Sequence, residues 1–313
     1  MHKQIAVWSF AFLIVFASAG FAQMSQQDAA PGYQDSFDRL TNNVTFGGYF
    51  EQEFEDKERE DSDFDQHRTI LFFGAQPHER IRFFSELEIE HGGFSDVKLE
   101  QAWLELALTE NHNLRGGIDL IPVGRLNLEH DGNLRDFVFR PEVDKRLIPT
   151  TWFESGISLN GTIIPDQVTY TIGVSNGLSA SSDTGSVGSL DEIRDMRSGS
   201  DDSLLTKEDN NNNKATWARL AWTPLLGTEI GVAGYQSQFA DDGDEDITFL
   251  AADLHYIQGP WEVKGEWVDV DKDQRNIGPN IQNLSIGDVR RGIDDADGGY
   301  IEGAYHFFPS GFY

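Results

Sequence analysis

The sequence predicts an all-β fold, an antiparallel β-barrel that crosses a membrane with about twelve strands. Three observations predict it. Strand-like segments follow one another between residues 45 and 308. The links between them alternate between tight turns and longer polar loops. The chain also begins with a short apolar segment that has the form of an export signal.

The N-terminal segment is interpreted as a signal peptide that covers residues 1–22. Lys3 precedes an apolar run over residues 5–17, and small residues precede a cut before Gln23. An uncleaved anchor is the less favoured alternative, because the run is shorter than the roughly 18 to 20 residues of a transmembrane helix. Residues 23–44 are polar and are interpreted as a periplasmic lead-in, which leaves residues 45–313 for the barrel.

The link lengths are sorted by position along the chain. Tight turns fall at residues 77–79, 109–113, 164–166, 224–228 and 259–260. The links between them are mostly long and polar, at residues 55–66, 121–152, 176–213, 240–247 and 271–297, with 91–96 as a short exception. Short turns at one rim and long loops at the other are typical of bacterial outer-membrane barrels. A soluble β-sandwich has no reason to sort its loops in this way.

Several strands alternate between apolar and polar residues. In residues 261–267, Trp261, Val263 and Trp267 alternate with Glu262, Lys264 and Glu266. Successive side chains of a strand point to opposite faces, so each such strand has one apolar and one ionic face. A soluble sandwich would also allow this pattern, but the loops and the export signal favour apolar residues on the outside. The ionic residues predicted for the inner wall are Arg82, Glu86, Glu88, Lys264 and Glu266.

The charge balance argues against nucleic acid as a partner. The chain has 53 acidic and 24 basic residues, a net charge of −29, and loss of the positive Lys3 would change it to −30. Nucleic-acid phosphates need Lys and Arg. A mean hydropathy of −0.43 does not exclude a barrel, because lipid-facing and lumen-facing residues alternate within each strand.

We expect no metal site and no cofactor. The chain has no cysteine, which excludes disulfides, thiol catalysis and thiolate ligands. Asp269, Asp271 and Asp273 have the alternate spacing that opens a calcium-binding loop. Gln274 and Asn280 stand where an EF-hand needs glycine and glutamate, so the EF-hand interpretation fails.

The link at residues 121–152 differs from the acidic trend of the other loops. It is close to neutral and carries many apolar residues, so it has a surface to pack against. Inside a barrel that surface is the inner wall, and the loop becomes a constriction. The candidate constriction residues are Arg125, Arg135, Arg140, Lys145 and Arg146, with the acidic Asp131 and Glu142. Structural ion pairs with acidic neighbours are the alternative role for these basic residues.

Short motifs in this region resemble those of the phosphate-selective porin O and P family. The matching motifs cover residues 47–50, 117–125, 130–132, 139–141, 148–152 and 154–156. The resemblance implies a trimeric outer-membrane channel of sixteen or more strands, with an external loop folded into its lumen. It also implies outer-membrane lipid as the surroundings, small solutes and ions as cargo, and in some members phosphate selectivity.

The sequence departs from that family in charge and in length. Many predicted lumen positions are Glu or Asp, whereas a pore that selects anions needs a positive lining. About twelve strands are fewer than the family has, and Pro309 and Gly311 fit a turn better than a final strand. We therefore expect a chain truncated on its C-terminal side. A closed twelve-stranded barrel is the alternative.

The predicted function is passive diffusion of small hydrophilic solutes, including anions such as phosphate, across the outer membrane of a Gram-negative bacterium. The chain is not expected to be an enzyme. An outer-membrane hydrolase would need a base such as His130, His255 or His306, but no nucleophile motif accompanies these residues. A soluble exported β-sandwich that binds carbohydrate is the other alternative, and it would be extracted without detergent.

Overall fold

The structure, a computed structural model, describes residues 6–16, 43–56, 62–92, 97–179, 193–194, 196, 214–239, 245–273, 276–277, 290–291 and 294–307. Most of the predicted lead-in and of the loop at residues 176–213 lies outside these residues. The chain divides into two compact units. Unit one comprises Met1–Asp119 and Asp131–Val138, and unit two comprises Leu120–His130 and Phe139–Tyr313.

The sheet of unit one is an antiparallel meander in chain order. Its strands are β1 (Ala6–Phe16), β2 (Val44–Asp56), β3 (Asp63–His78), β4 (Ile81–Glu90), β5 (Val97–Ala107) and β6 (His112–Leu120). Each strand pairs with the next one along the chain. A 3₁₀ helix, Gly132–Leu134, also belongs to this unit.

The sheet of unit two is built in the same way. Its strands are β7 (Phe153–Ile164), β8 (Val168–Ser175), β9 (Ala215–Leu225), β10 (Thr228–Gln238), β11 (Asp246–Gln258), β12 (Trp261–Lys272) and β15 (Asp295–Tyr305). A separate pair joins β13 (Asn276–Ile277) to β14 (Arg290–Arg291). Two short helices precede β7, namely α1 (Arg125–Leu128) and α2 (Glu142–Arg146). None of the helices among the described residues has the length and apolar character needed to cross a membrane.

The strand count agrees with the prediction. Within the described residues, β2 to β12 and β15 are the twelve main-sheet strands that lie in the predicted range. One further strand, β1, forms from the apolar N-terminal run and pairs with β2 from Phe16↔Phe46 to Ala6↔Asp56. The run is rich in β-branched and aromatic residues, which favour a strand wherever a partner edge is available. Cleavage of this segment as a signal peptide stays a prediction.

The polarity of the two strand faces also agrees with the prediction. In the first part of β12, Trp261 and Trp267 are exposed, and Glu262, Lys264 and Glu266, which alternate with them, are buried. Ile172 is 53% exposed and Leu254 36% exposed, so these apolar residues lie on the exposed face, as predicted. The face opposite to theirs carries buried ionic groups, namely Arg219, Asp253, Glu262, Lys264 and Glu266. Apolar residues outside and ionised residues inside reverse the arrangement of a soluble sandwich.

The apolar core of unit two lies where the loop before β7 packs on the buried strand face. Loop residues contribute Ile121, Val123, Val143, Leu147, Ile148 and Trp152. The strands and the segments next to them contribute Leu178, Ile193, Met196, Ala215, Trp217, Ala233, Tyr235, Phe239, Ile247, Phe249, Ala251, Val268 and Val270.

Candidate functional site

The candidate site is the loop at residues 121–152, and its segments are described separately with the unit to which each belongs. We call residues 121–130 and 139–152 the unit-two loop segment, because they pack with the strands of unit two. Residues 131–138, which are bound to β2, form the unit-one loop segment.

Trp152 is the largest apolar anchor of the unit-two loop segment. Its side chain is fully buried. Its ring centroid lies 4.5 Å from that of Tyr235 and 5.0 Å from that of Phe249, in edge-on and tilted arrangements. Aromatic pairs of this kind contribute about 0.5–1.5 kcal/mol beyond the burial of their area. The end of the loop is therefore fastened to β10 and β11 by packing.

Asn127 joins the two ends of the same segment. Its amide nitrogen donates to the carbonyl oxygens of Ile121 at 2.8 Å and Trp152 at 2.9 Å. Its amide oxygen accepts from the backbone nitrogen of Trp152 at 2.7 Å. The backbone nitrogen of Ile121 also donates to the carbonyl of Trp152, at 3.0 Å. A single buried side chain thus closes the loop on itself.

Glu266 binds the start of α1 to the strand wall. Its Oε2 accepts from the backbone nitrogens of Arg125 at 2.5 Å and Leu126 at 3.2 Å. The first N–H groups of a helix have no partner within the helix, so a carboxylate there satisfies them. Gly124 has φ of +79° and lies so close to Glu266 that any Cβ would collide with the carboxylate. The loop therefore needs glycine immediately before α1.

Glu154, at the start of β7, accepts hydrogen bonds from three directions. The indole nitrogen of Trp152 donates to it at 2.8 Å, the hydroxyl of Tyr235 at 2.9 Å and the backbone nitrogen of Gly177 at 2.8 Å. The carboxyl group is fully buried, and these donors compensate for its lost hydration. Glu154 therefore links the loop end to β10.

Asp144, in α2, is a buried carboxyl group of a different kind. Its side chain is fully buried, and neither of its oxygens has a hydrogen-bond partner among the described residues. Burial raises the pKa of Asp144 well above its ordinary value, and the nearby charge of Glu266 raises it further. The arrangement therefore favours the neutral acid.

The unit-one loop segment is fastened by polar contacts. The hydroxyl of Tyr49 donates to Asp131 Oδ1 at 2.7 Å and accepts from the backbone nitrogen of Gly132 at 3.2 Å. Arg135 Nη2 lies 3.5 Å from Glu51 Oε1. Burial lowers the pKa of Arg135, whereas the charge of Glu51 acts to raise it. One tyrosine and one ion pair thus attach this segment to β2.

The predicted basic loop residues all have acceptors. Arg125 contacts Glu129 and Glu229, each at 2.7 Å. Arg140 donates to the carbonyl of His130 at 3.1 Å and to Thr151 Oγ1 at 3.4 Å. Near the surface, Lys145 and Arg146 lie 3.5 Å and 2.7 Å from Glu142, and the hydrogen bond from Arg146 is the main cause that lowers the pKa of Glu142. The geometry gives these residues structural contacts, and their role in a constriction stays a prediction.

The predicted wall residues lie mostly on the buried face. Glu86, Glu88, Lys264 and Glu266 are buried, whereas Arg82 is exposed and pairs with the buried Glu105. Ion pairs join residues of this face that lie on different strands. Arg68 lies 3.1 Å from Glu51 and 3.6 Å from Glu88, and Arg219 binds Asp253 through both guanidinium nitrogens. The alternation of residues within each strand indicates these pairs, because both partners of each pair lie on the same ionic face.

The histidines considered for a hydrolase have other surroundings. His255 and His306 both contact Glu262, through Nε2 at 2.6 Å and 2.7 Å. Lys264 Nζ lies 3.1 Å from the same carboxylate. One carboxylate among three basic side chains is an ion cluster, and these contacts include no nucleophile.

Comparison with known proteins shows the fold. The chain is similar to OmpF of Salmonella typhi, in a complex with daunomycin, with a TM-score of 0.55, 10% sequence identity and coverage of 85% of this chain and 75% of that one. OmpT of Vibrio cholerae, expressed in the outer membrane, gives a TM-score of 0.47 at 12% identity, with coverage of 85% and 82%. The likeness to OmpF confirms the predicted antiparallel β-barrel fold.

Sequence comparison adds one relative. An uncharacterized protein of Aquifex aeolicus (strain VF5) is 36% identical over 150 residues, which are 45% of this chain. The chain spans about a third of the length of this curated relative. No protein-family model matches the chain, so the resemblance to the porin O and P family stays a prediction.

Proposed function

We propose that the protein is a passive channel of the outer membrane through which small hydrophilic solutes diffuse. One observation carries the proposal: in residues 261–267 of β12, the exposed face carries Trp261 and Trp267, whereas the buried face carries the ionic Glu262, Lys264 and Glu266. A soluble domain would lose stability from this arrangement, because its apolar side chains would face water. In a bilayer the apolar face contacts lipid and the ionic face lines a water-filled path.

The loop at residues 121–152 is the proposed filter of this channel. Its unit-two loop segment lies on the same buried face as Glu266, Arg219 and Asp253. Packing and hydrogen bonds hold this segment against the strands. It therefore narrows the water-filled path but does not swing across it and close it. The proposal includes no catalytic step.

The proposed selectivity favours small cations over phosphate. A pore that favours phosphate needs cationic side chains whose charge is not already compensated. Arg125, Arg135 and Arg219 each lie against a carboxylate, and the whole chain has a net charge of −29. Phosphate selectivity, which the family resemblance implies, is therefore the less favoured alternative within the proposed function.

Conductance measurements test the proposal. The full chain, purified in detergent and added to planar lipid bilayers, should produce stepwise ion currents. Reversal potentials in a potassium chloride gradient should indicate a cation preference, and phosphate should permeate no better than chloride. A protein that is extracted without detergent and gives no conductance would disprove the channel. If phosphate permeates better than chloride, the channel is selective for phosphate and the proposed cation preference is wrong.

The filter is tested separately by a pair of charge changes. Arg140→Gln with Arg146→Gln should increase the cation preference, because two positive charges leave the loop. The matched control, Arg80→Gln with Lys214→Gln, removes the same charge from exposed positions outside the loop. Equal reversal potentials in both double variants would exclude the loop as the filter while leaving the channel itself intact.

We propose that the protein assembles as a homotrimer, which the resemblance to the porin O and P family implies. Crosslinking in detergent and the mobility of unheated samples on gels would measure the assembly. A monomer that still conducts would reject the trimer without affecting the channel.

A further inference from the structure

Three side chains of unit one meet where β3 begins and β4 ends. They are Asp65 and His67 on β3 and His91 just after β4, and their ligand atoms all lie within 4.8 Å of one another. His91 Nδ1 lies 3.0 Å from Asp65 Oδ2, and His67 Nδ1 lies 3.5 Å from the same oxygen. Glu53 on β2 adds a second carboxylate, with Oε2 3.9 Å from His67 Nδ1. We call these four residues the rim cluster.

Two local features of the backbone build the rim cluster. The pairing of β2 with β3 goes from Glu51↔Arg68 to Glu53↔Asp65, so β3 has one extra residue, a β-bulge. A bulge re-aims side chains, and here it brings His67 next to both Asp65 and Glu53. His91 has φ of +49°, a left-handed conformation that non-glycine residues seldom adopt. Its backbone nitrogen donates to the carbonyl of His67 at 3.1 Å, which fixes the two histidines side by side.

We propose that the rim cluster binds one divalent transition-metal ion of the zinc type, with Asp65, His67 and His91 as ligands and Glu53 as the fourth. Zinc bonds to imidazole nitrogen and carboxylate oxygen are about 2.0–2.2 Å long, so neighbouring ligand atoms of a tetrahedral site lie about 3.3 Å apart. Three of the separations are 3.0, 3.5 and 3.9 Å, and the ligand atoms of Asp65, His67 and His91 all lie within 4.8 Å of one another. Side-chain movements would therefore bring these three ligands to tetrahedral separations, with Glu53 reached through its contact with His67.

The donor atoms select the class of metal. Two imidazoles and two carboxylates suit zinc, copper or nickel, whereas calcium and magnesium prefer ligand sets made of oxygen alone. The cluster is also accessible, since the side chains of His67, Asp65 and His91 are 26%, 32% and 58% exposed. An ion can enter from solvent without unfolding the strands.

Metal binding would also involve Arg68. Arg68 Nη2 lies 3.0 Å from His67 Nε2, and because a guanidinium only donates, neutral His67 carries its proton on Nδ1. A metal at Nδ1 needs that lone pair, so the proton leaves Nδ1 and one is taken up at Nε2. Arg68 also lies 3.1 Å from Glu51 and 3.6 Å from Glu88. The metal site is therefore coupled to the ion pairs of the neighbouring strand face.

Calorimetry with Zn²⁺ tests the proposal on the tag-free full chain in detergent. We expect one Zn²⁺ per chain, and binding at least about 100-fold weaker in His67→Gln with His91→Gln, since even groups that only orient ligands contribute 10- to 100-fold. The matched control, His78→Gln with His112→Gln, removes two histidines of unit one outside the cluster and should bind as the unchanged chain does. Millimolar Ca²⁺ should not displace the Zn²⁺.

Three results would overturn the proposal. The first is tight binding that survives in the His67→Gln, His91→Gln variant. The second is equal loss in the control variant, which would indicate dispersed binding by surface histidines. The third is displacement by Ca²⁺, which would indicate an oxygen-only site in the acidic loops. Circular dichroism of each variant checks the fold, and Asp65→Asn, which keeps both histidines, should weaken Zn²⁺ binding on its own.

Discussion

The two segments of the loop at residues 121–152 are attached to their strands by different kinds of contact. The unit-two loop segment buries Ile121, Val123, Ile148 and Trp152 in the apolar core of its unit. The unit-one loop segment contacts β2 through the hydroxyl of Tyr49 and the ion pair of Arg135 with Glu51. Burial of a large apolar side chain contributes about 1.5–3 kcal/mol, whereas a typical hydrogen bond contributes about 0.5–1.5 kcal/mol net.

This difference indicates which segment carries stability and which is easily displaced. Apolar packing adds over many atoms and is insensitive to salt and pH. Polar contacts are few, and each depends on geometry and charge. We therefore expect the unit-two loop segment to stay in place when the unit-one loop segment moves. Four substitutions test this expectation.

Trp152→Ala should have the largest effect. It removes a fully buried indole and its contacts with Tyr235 and Phe249, so the free energy of unfolding should fall by about 3–5 kcal/mol. Urea titration in lipid vesicles, followed by circular dichroism, measures this value. Trp222→Ala, at a residue that is 48% exposed, is the control and should cost less. Equal losses in the two variants would contradict the packing account.

Asn127→Ala should have the next largest effect. It leaves the backbone nitrogen of Trp152 without its partner Asn127 Oδ1, and a buried group left unsatisfied costs about 1–3 kcal/mol. The same titration gives the stability, and amide hydrogen exchange at Trp152 should become faster. Asn113→Ala, on β6 in unit one, is the control. Unchanged exchange at Trp152 would show that Asn127 does not close the loop.

Asp144→Asn should stabilise the protein at neutral pH. Burial raises the pKa of Asp144, so the folded chain keeps a proton that the unfolded chain releases above about pH 4. The folded state therefore loses stability as the pH rises from about 4, and asparagine, which does not ionise, avoids that loss. Urea titrations at pH 4 and pH 7.5 should show little difference between variant and wild type at pH 4 and a gain for the variant at pH 7.5. A gain in the free energy of unfolding that is the same at both pH values would contradict a raised pKa of Asp144.

Tyr49→Phe should have the smallest effect on stability. It removes the hydrogen bonds to Asp131 and Gly132, and we expect a loss of about 0.5–1.5 kcal/mol. Hydrogen exchange at Gly132 should become faster while exchange at Trp152 stays the same. Tyr256→Phe, which removes an exposed hydroxyl, is the control. If Tyr49→Phe lowers the free energy of unfolding as much as Trp152→Ala does, the two loop segments do not differ in their contribution to stability.

Much of the fold was predictable because it depends on local patterns. Period-two alternation in residues 261–267 was enough to predict that Trp261 and Trp267 are exposed while Glu262, Lys264 and Glu266 are buried. The apolar content of residues 121–152 was enough to predict that the loop packs against other residues, and Ile121, Val123, Ile148 and Trp152 do pack with strand residues of unit two. Both predictions depend on which surroundings stabilise apolar and ionised side chains. They require no knowledge of contacts between residues that are distant in the sequence.

The contacts of the candidate site were less predictable. Arg125 was singled out for its charge, but the groups that position α1 are Gly124 and Glu266, which no sequence pattern connects. Asn127 and Asp144 were not singled out, since a single polar residue in a loop has no periodicity. The contact of His255 and His306 with Glu262 likewise required the register of β11, β12 and β15.

The sequence by itself determined the order of the strands, the alternation of residues 261–267 and the apolar content of the loop at residues 121–152. Only the tertiary structure decided which polar groups meet: Asn127 with Trp152, Glu266 with α1, and His67 with His91. The physical reason is range. Face polarity depends on neighbours two residues apart, whereas a hydrogen bond or a metal site depends on strand register, bulges and turns that bring distant residues within about 3 Å.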